Sequence, residues 1–404
     1  MNEKSIAYGT STKAGTSKII GSGLIIAGTS IGAGMLSLPI VSAGLGYTVS
    51  CLVLFALWAL MTYTAMLMLE VHQYARSNAT LHTLAQQFLG EKGKYIAGFA
   101  MLFLFYSLSA AYIAGGGNQL AERIKTVASI EIPTSIGAII FAILVACVVA
   151  IGTHLVDKVN RVLFALMLGA MVVVLMSLAP NVSGAYLASM PVEYGLILTS
   201  LPVVFTSFGF HGSIPAIVSY LGGDTKTLKK AMYIGSCVPF IIYVLWLFCT
   251  LGVVSQPDLT ANPTLNALIV SLSATLENSQ LSLIIGLFAD LALITSFLGV
   301  SLGLFDFIRD TTKEKLNGNK VLVAVVTYFP PLCFALFYPE GFIMALGYAA
   351  IALVILAIFL PVAMVFKSRQ INVNPNDYKV VGGNLMLVLC AACGVVIILS
   401  QLLS

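Results

Sequence analysis

Apolar residues run in blocks of about 20 along almost the whole chain, separated by short polar segments. That is the length an α-helix needs to cross the hydrocarbon core of a bilayer. Eleven spans are predicted, at 19–43, 47–70, 95–117, 134–153, 160–180, 194–221, 231–254, 281–307, 321–338, 342–366 and 384–402. Two of them are interrupted near their middles by glycine-rich polar runs. These are Gly28-Thr29-Ser30-Ile31-Gly32-Ala33-Gly34 in the first and Thr206-Ser207-Phe208-Gly209-Phe210-His211-Gly212 in the sixth, followed by Pro39 and Pro215 respectively. A helix broken in mid-bilayer strands amide and carbonyl groups that lipid cannot satisfy, so such breaks survive around a polar cavity.

The breaks stand about 177 residues apart, close to the length of five spans with their connections. Spans one to five (19–180) and six to ten (194–366) therefore align as two repeats forming a core over 19–366. Because five is odd, the repeats have opposite orientation, an architecture that puts a site near the midplane. Residues 1–18 form a tail, and 384–404 carry an eleventh helix outside the repeat.

Composition agrees with this all-α integral membrane reading. Of 404 residues, 59% are hydrophobic and 9% charged, against roughly 25% charged in soluble domains. The first apolar run begins only at Ile19, is too long for a signal-peptide core and lacks a small-residue cleavage site, so it reads as a retained span. Lys and Arg concentrate in cytoplasmic loops, and with the N-terminus inside, 18 of the 20 basic residues fall there, leaving Arg123 and Lys125 outside. The N-terminus is thus cytoplasmic and the C-terminus external. The net charge of +4 follows from this topology and implies no nucleic acid. Seven cysteines show no disulfide spacing, and Cys390 and Cys393 read as packing residues of the last span. No cofactor motif or metal-ligand set appears.

Two connections have patterns of their own. Thr80 to Phe88 is predicted to be a short amphipathic helix on the cytoplasmic interface, and Ser255 to Gln280 carries a helical pattern from Leu265, as an external lid or a simple connector.

At the first break, Ser30, Ile31, Gly32, Ala33 and Gly34 would expose backbone groups to a ligand. The half-helix from Met35 would aim its N-terminus at a carboxylate, unless Gly28 and Gly32 form a GxxxG packing face. At the second break, carbonyls of Phe205, Thr206 and Ser207, ahead of Gly209, would accept from an ammonium group. Phe205, Phe208 and Phe210 would form aromatic walls or ordinary packing. Together the breaks describe an amino acid zwitterion. Asp290, about ten residues into its span, is expected at the depth of both breaks, as a proton carrier or a structural hydrogen-bonding group. His211 would contact substrate, shuttle protons or satisfy the stranded backbone. Thr295 and Ser296 would ligate sodium or bond back to their own helix. Tyr106, Tyr112 and Tyr348 would line the cavity or pack between helices, while Glu70, Glu193 and Asp306, near span ends, are expected at the interface.

These motifs resemble the bacterial hydroxy and aromatic amino acid permeases of the amino acid transporter superfamily. The resemblance is carried by GTSIGAGMLSLP at 28–39, FTSFGFHGSIPAIVSY at 205–220, FADLALITSFLGVSLGLFD at 288–306 and FPPLCFALFYPEGFIMALGYA at 329–349. It covers all but the N-terminal tail, and Phe288-Ala289-Asp290 is most similar to the tyrosine-specific members. It implies a LeuT-like fold, residence in the inner membrane, and import of aromatic amino acids, tyrosine first, coupled to protons. Sodium coupling or a broader neutral substrate range is the alternative. Tryptophan-type members carry an uncharged residue at the Asp290 position, which implies that Asp290 tunes substrate choice. A channel would show a continuous polar pore face, and an enzyme a clustered nucleophile, base or metal set; the sequence has neither.

Overall fold

The computed structural model describes residues 16–191, 194–276, 279–312, 319–371 and 377–403. Residues 1–15 of the tail, together with Glu193, Lys313 and Lys315, lie outside the described residues. The helices in chain order are α1 (Thr16–Ser30), α2 (Ala33–Ser42), α3 (Gly46–His72), α4 (Leu81–Ala128), α5 (Thr134–Ile151), α6 (Thr153–Leu178), α7 (Gly184–Ala188), α8 (Tyr194–Ser207) and α9 (Ile214–Leu221). There follow α10 (Thr225–Val253), α11 (Gln256–Ala261), α12 (Leu265–Ala274), α13 (Ser279–Thr312), α14 (Lys320–Phe337), α15 (Phe342–Val354), α16 (Leu360–Ile371) and α17 (Gly383–Leu403).

Ten helical stretches among the described residues are long and apolar enough to cross a membrane. The difference from eleven arises at the N-terminus. There α1, of 15 residues, is too short to span alone, and 33–72 counts as one 40-residue stretch. That stretch is not one straight rod, because Gly46 between α2 and α3 takes φ +73°, a left-handed conformation that glycine adopts without strain. Both sequence-predicted interruptions are present: α1 stops at Ser30 and α2 starts at Ala33, while α8 stops at Ser207 and α9 starts at Ile214 after a single 3₁₀ turn at His211–Ser213.

The interfacial helix predicted at Thr80 is the first part of α4. Thr80 opens it with a reciprocal capping box, Thr83 N–H donating to Thr80 Oγ1 and Thr80 N–H to Thr83 Oγ1. Gly90, at φ +72°, then kinks the chain into the long apolar helix. A helix from Leu265 to Ala274 also forms where the pattern predicted one.

The two broken helices sit at the centre. α1 packs on α10, α2 on α8, and α13 crosses α4 and α6 beside them. Behind the second break lies the α15–α16 helix, which contains a π-helical turn at Ile355–Phe359, a rare, wider turn that is frequent at functional sites.

One end of the bundle is closed by a strap, residues 377–381. Glu70, at the end of α3, is buried with 1% of its side chain exposed and receives both Nε and Nη2 of Arg369 from α16, at 2.6 and 2.8 Å. The strap adds Val380 N–H to Glu70 (2.7 Å) and takes Arg369 Nη2 on Val380 O (3.1 Å). Gln73 bonds both the N–H and the carbonyl of Tyr378, Tyr74 donates to Asp377, and Tyr63 donates to Val381 O. Glu70, at its helix end, is therefore a buried and fully paired carboxylate and not a solvent-facing one. Its helix end is roofed by the strap, and a bidentate guanidinium supplies the countercharge that makes such burial tolerable.

Candidate substrate site

The breaks are joined to each other directly. Ser207 Oγ donates to Val203 O within its own helix at 3.0 Å and reaches Gly34 O across the gap at 3.1 Å. A Cβ on Gly34 would stand 3.3 Å from Ser207 Cα, so the close approach of α2 to α8 requires a small residue there. The Tyr243 hydroxyl of α10 lies 2.6 Å from Ser30 O and 2.7 Å from Ser207 O. One phenolic proton thus serves the last carbonyl of each half-helix. One turn further along α10, Trp246 Nε1 donates to Met35 O at 2.9 Å. This i, i+3 pair puts two aromatic donors on one face.

Several backbone groups expected to await a ligand already have partners. Ala33 N–H donates to Ser296 Oγ of α13 at 2.9 Å, and Met35 N–H to Gly32 O. At the second break Phe205 O accepts from Phe208 N–H, Thr206 O from Gly209 N–H, and Ser207 O from Tyr243. The three carbonyls assigned to an ammonium group are all engaged, because the break folds into tight turns that recapture its own amides. Each carbonyl retains a second lone pair. Phe205, Phe208 and Phe210 are fully buried, with Phe208 against Tyr243 and Phe210 stacked on His211. His211 Nε2 lies 2.9 Å from Thr64 Oγ1 of α3, while Nδ1 is buried without a partner among the described residues.

Gly28 and Gly32 prove to have different neighbours. A Cβ on Gly28 would stand 3.3 Å from the edge of the Phe164 ring, a tight contact that a tilt of that ring can relieve, whereas one on Gly32 would run into Ser296 Oγ. Gly32→Ala is therefore expected to dislodge Ser296 from Ala33 N–H and lower uptake by at least ~10-fold, the factor equivalent to about 1.4 kcal/mol. Gly28→Ala should stay within a few-fold of wild type. Radiolabel uptake into cells at matched expression checks this, and equal effects would mean that the contact with Ser296 has no special weight.

The remaining expected residues divide. Tyr112 is buried with its hydroxyl beside Ser296, so the structure brings it to the first break. Tyr106 is not brought there, because its hydroxyl donates to Val326 O of α14 at 2.7 Å. Tyr348 is 38% exposed. It lies two residues, about 200° of helix turn, beyond Leu346, whose carbonyl accepts Thr206 Oγ1 at the second break. Thr295 bonds back to Leu291 O and Ala292 O and touches Met167, which separates it from Ser296 at the break.

Asp290 is displaced too. It precedes Ser296 by six residues, about 9 Å along α13, and is not at the breaks. It pairs with Arg123, whose Nε and Nη2 both end on Oδ2, at 3.1 and 2.8 Å. The sequence reading puts Arg123 in a loop because the apolar run of the third span ends near Gly117. In fact α4 continues helical to Ala128 and carries the guanidinium over α13. Gly286 makes room for it, since a Cβ there would collide with Arg123. Tyr243, Trp246 and Arg123 are the residues that the sequence did not single out. The signal for the first two was a pair of polar-tipped aromatics three apart in an apolar helix.

A bundle of apolar helices with two interrupted ones facing each other across buried backbone is a multi-pass membrane protein of the permease class. Comparison with known proteins gives the family: the chain belongs to the tryptophan/tyrosine permease family, whose sequence model matches residues 15–401. Among similar proteins, tyrosine-specific transport system 1 of Haemophilus influenzae is 42% identical over 386 residues, covering 94% of this chain and 95% of that protein. Tyrosine-specific transport system 2 of the same organism is 40% identical, covering 95% of each chain. The tryptophan-specific transport protein of that organism is 34% identical over 95% of each.

Proposed function

We propose that this chain is a secondary active symporter that imports L-tyrosine, and other aromatic amino acids less well, with protons by alternating access across the bacterial inner membrane. In this reading α1 and α2 form the first of eleven spans and α8 and α9 the sixth. They are arranged as a LeuT-like inverted repeat with the N-terminus cytoplasmic and the C-terminus external. The observation that carries it is the Tyr243 hydroxyl between Ser30 O and Ser207 O, which makes the two breaks one polar centre. The higher identity to tyrosine-specific than to tryptophan-specific relatives supports the substrate.

The bonds at the breaks are those that a zwitterion would replace. The substrate carboxylate takes Ala33 N–H from Ser296, and its ammonium takes second lone pairs at Phe205, Thr206 and Ser207. His211, buried beside both breaks, carries the proton. Asp290 is the weaker carrier, because a proton there would dissolve its ion pair and leave the Arg123 guanidinium without its partner.

Purified protein in proteoliposomes should accumulate labelled tyrosine when a pH gradient is imposed and not when a sodium gradient is. Accumulation under sodium alone would replace the proton by sodium, and none under either would refute symport. Asp290→Asn should still accumulate tyrosine under the pH gradient, and His211→Gln should equilibrate it without accumulation. Reversal of these two results would return the proton to Asp290.

A further inference from the structure

Between α4, α5 and α13 lies a cavity of about 110 Å³, several times the 10–15 Å³ that one water centre requires. Phe141, Leu293 and Ile294 make much of its wall, and Gln119, Arg123 and Asp290 bring polar groups to it. Gln119 is 4% exposed, and its Nε2 has no hydrogen-bond partner among the described residues. A buried amide in that condition points to a ligand that meets it. The Arg123–Asp290 pair spans α4 and α13, two helices packed on one another.

We propose that this cavity receives the far end of the substrate's aromatic ring and that Gln119, with Asp290 beside it, selects for a ring hydroxyl. The proposal rests on the transport reading above. The geometry supplies the span. Tyr112 and Ser296 touch each other at the first break. From there Gln119 lies seven residues along α4, about 10.5 Å, and Asp290 six residues along α13, about 9 Å. The two rises are nearly equal and end at one cavity, which Gln119 and Asp290 both line, and their length is comparable with that of a tyrosine molecule from carboxylate to hydroxyl. With the carboxylate at the break, the ring passes the apolar wall and its hydroxyl meets an amide donor and a carboxylate acceptor. Phenylalanine would fill the same wall and leave Gln119 unpaired, which is how a polar site rejects an analogue lacking the hydroxyl. Arg123 is the positioning residue. Its two bonds to a single oxygen of Asp290 fix the carboxylate's direction.

The test is the ratio of kcat/KM for tyrosine to that for phenylalanine, measured in the same proteoliposome preparation for wild type and Gln119→Leu. Because both substrates are read on one preparation, partial misfolding leaves the ratio unmoved. The expected result is a fall of at least ~10-fold, most of it in the KM for tyrosine, and a smaller fall in the same direction for Arg123→Lys. An unchanged ratio in Gln119→Leu, with both amino acids still transported, would overturn this proposal alone. Failure of wild type to transport either would overturn the transport reading and this proposal with it.

Discussion

Arg369→Ala is expected to be the most destabilising single substitution outside the site, by about 3–5 kcal/mol, the cost of leaving one partner of a buried ion pair uncompensated. Glu70 is almost wholly enclosed, and both of its oxygens are occupied, Oε1 by Arg369 and Oε2 by Arg369 and Val380 N–H. Removing the guanidinium leaves a carboxylate under the strap with one backbone donor, and frees Val380 O as well. The thermal unfolding midpoint in detergent should drop well below that of Arg161→Ala. Arg161 is paired with Asp157 but largely exposed, and surface pairs of that kind contribute 0–1 kcal/mol. The double variant Glu70→Gln, Arg369→Leu should lose less than the two single changes summed. Additive losses, or a midpoint equal to that of Arg161→Ala, would show that the pair is not a buried charge couple in the membrane.

Tyr243→Phe should reduce uptake by about 10- to 100-fold at near-normal expression. The change deletes one oxygen from a site where two buried carbonyls share its proton. Each unsatisfied buried acceptor costs about 1–3 kcal/mol. The ring contact with Phe208 survives the substitution, so the bundle keeps its packing while the two breaks lose their common tie. Tyrosine-protected thermal unfolding separates binding from turnover. If Tyr243→Phe binds and transports like wild type, the hydroxyl is a packing accident and the breaks are held together by Ser207 alone.

Much of this was legible in the chain. Spans show in sequence because a bilayer imposes one length on them, and the breaks show because two glycine-rich polar runs interrupt apolar spans at corresponding places in the two halves. What could not be read was how each polar group is matched. Asp290 announces itself as a charge inside a span, but Arg123 looks like a loop residue until α4 is seen to continue past its apolar stretch. Glu70 at a span end reads as interfacial, since the strap that covers it lies some 300 residues away in the sequence. Tyr243 and Trp246 were hidden by chemistry: in an apolar helix their rings look like filler, and only the location of the breaks gives their polar tips a purpose. Tyr106 and Tyr348 show the converse. Phenols within the right spans pointed elsewhere, because residue type fixes what a side chain can bond and not the face on which it emerges.

The separation of Glu70 from Arg369 also bears on how the protein is made. The two residues are 299 positions apart, so at 5–20 residues per second a ribosome needs about 15 to 60 s to deliver the second after the first. For that interval the end of α3 holds a carboxylate whose countercharge does not yet exist, and it must stay in water or on a chaperone while eight further spans are inserted. Closure of the strap is therefore a late event that reports a nearly complete chain. A chain that stops before Arg369 keeps an unmatched acid at the end of α3.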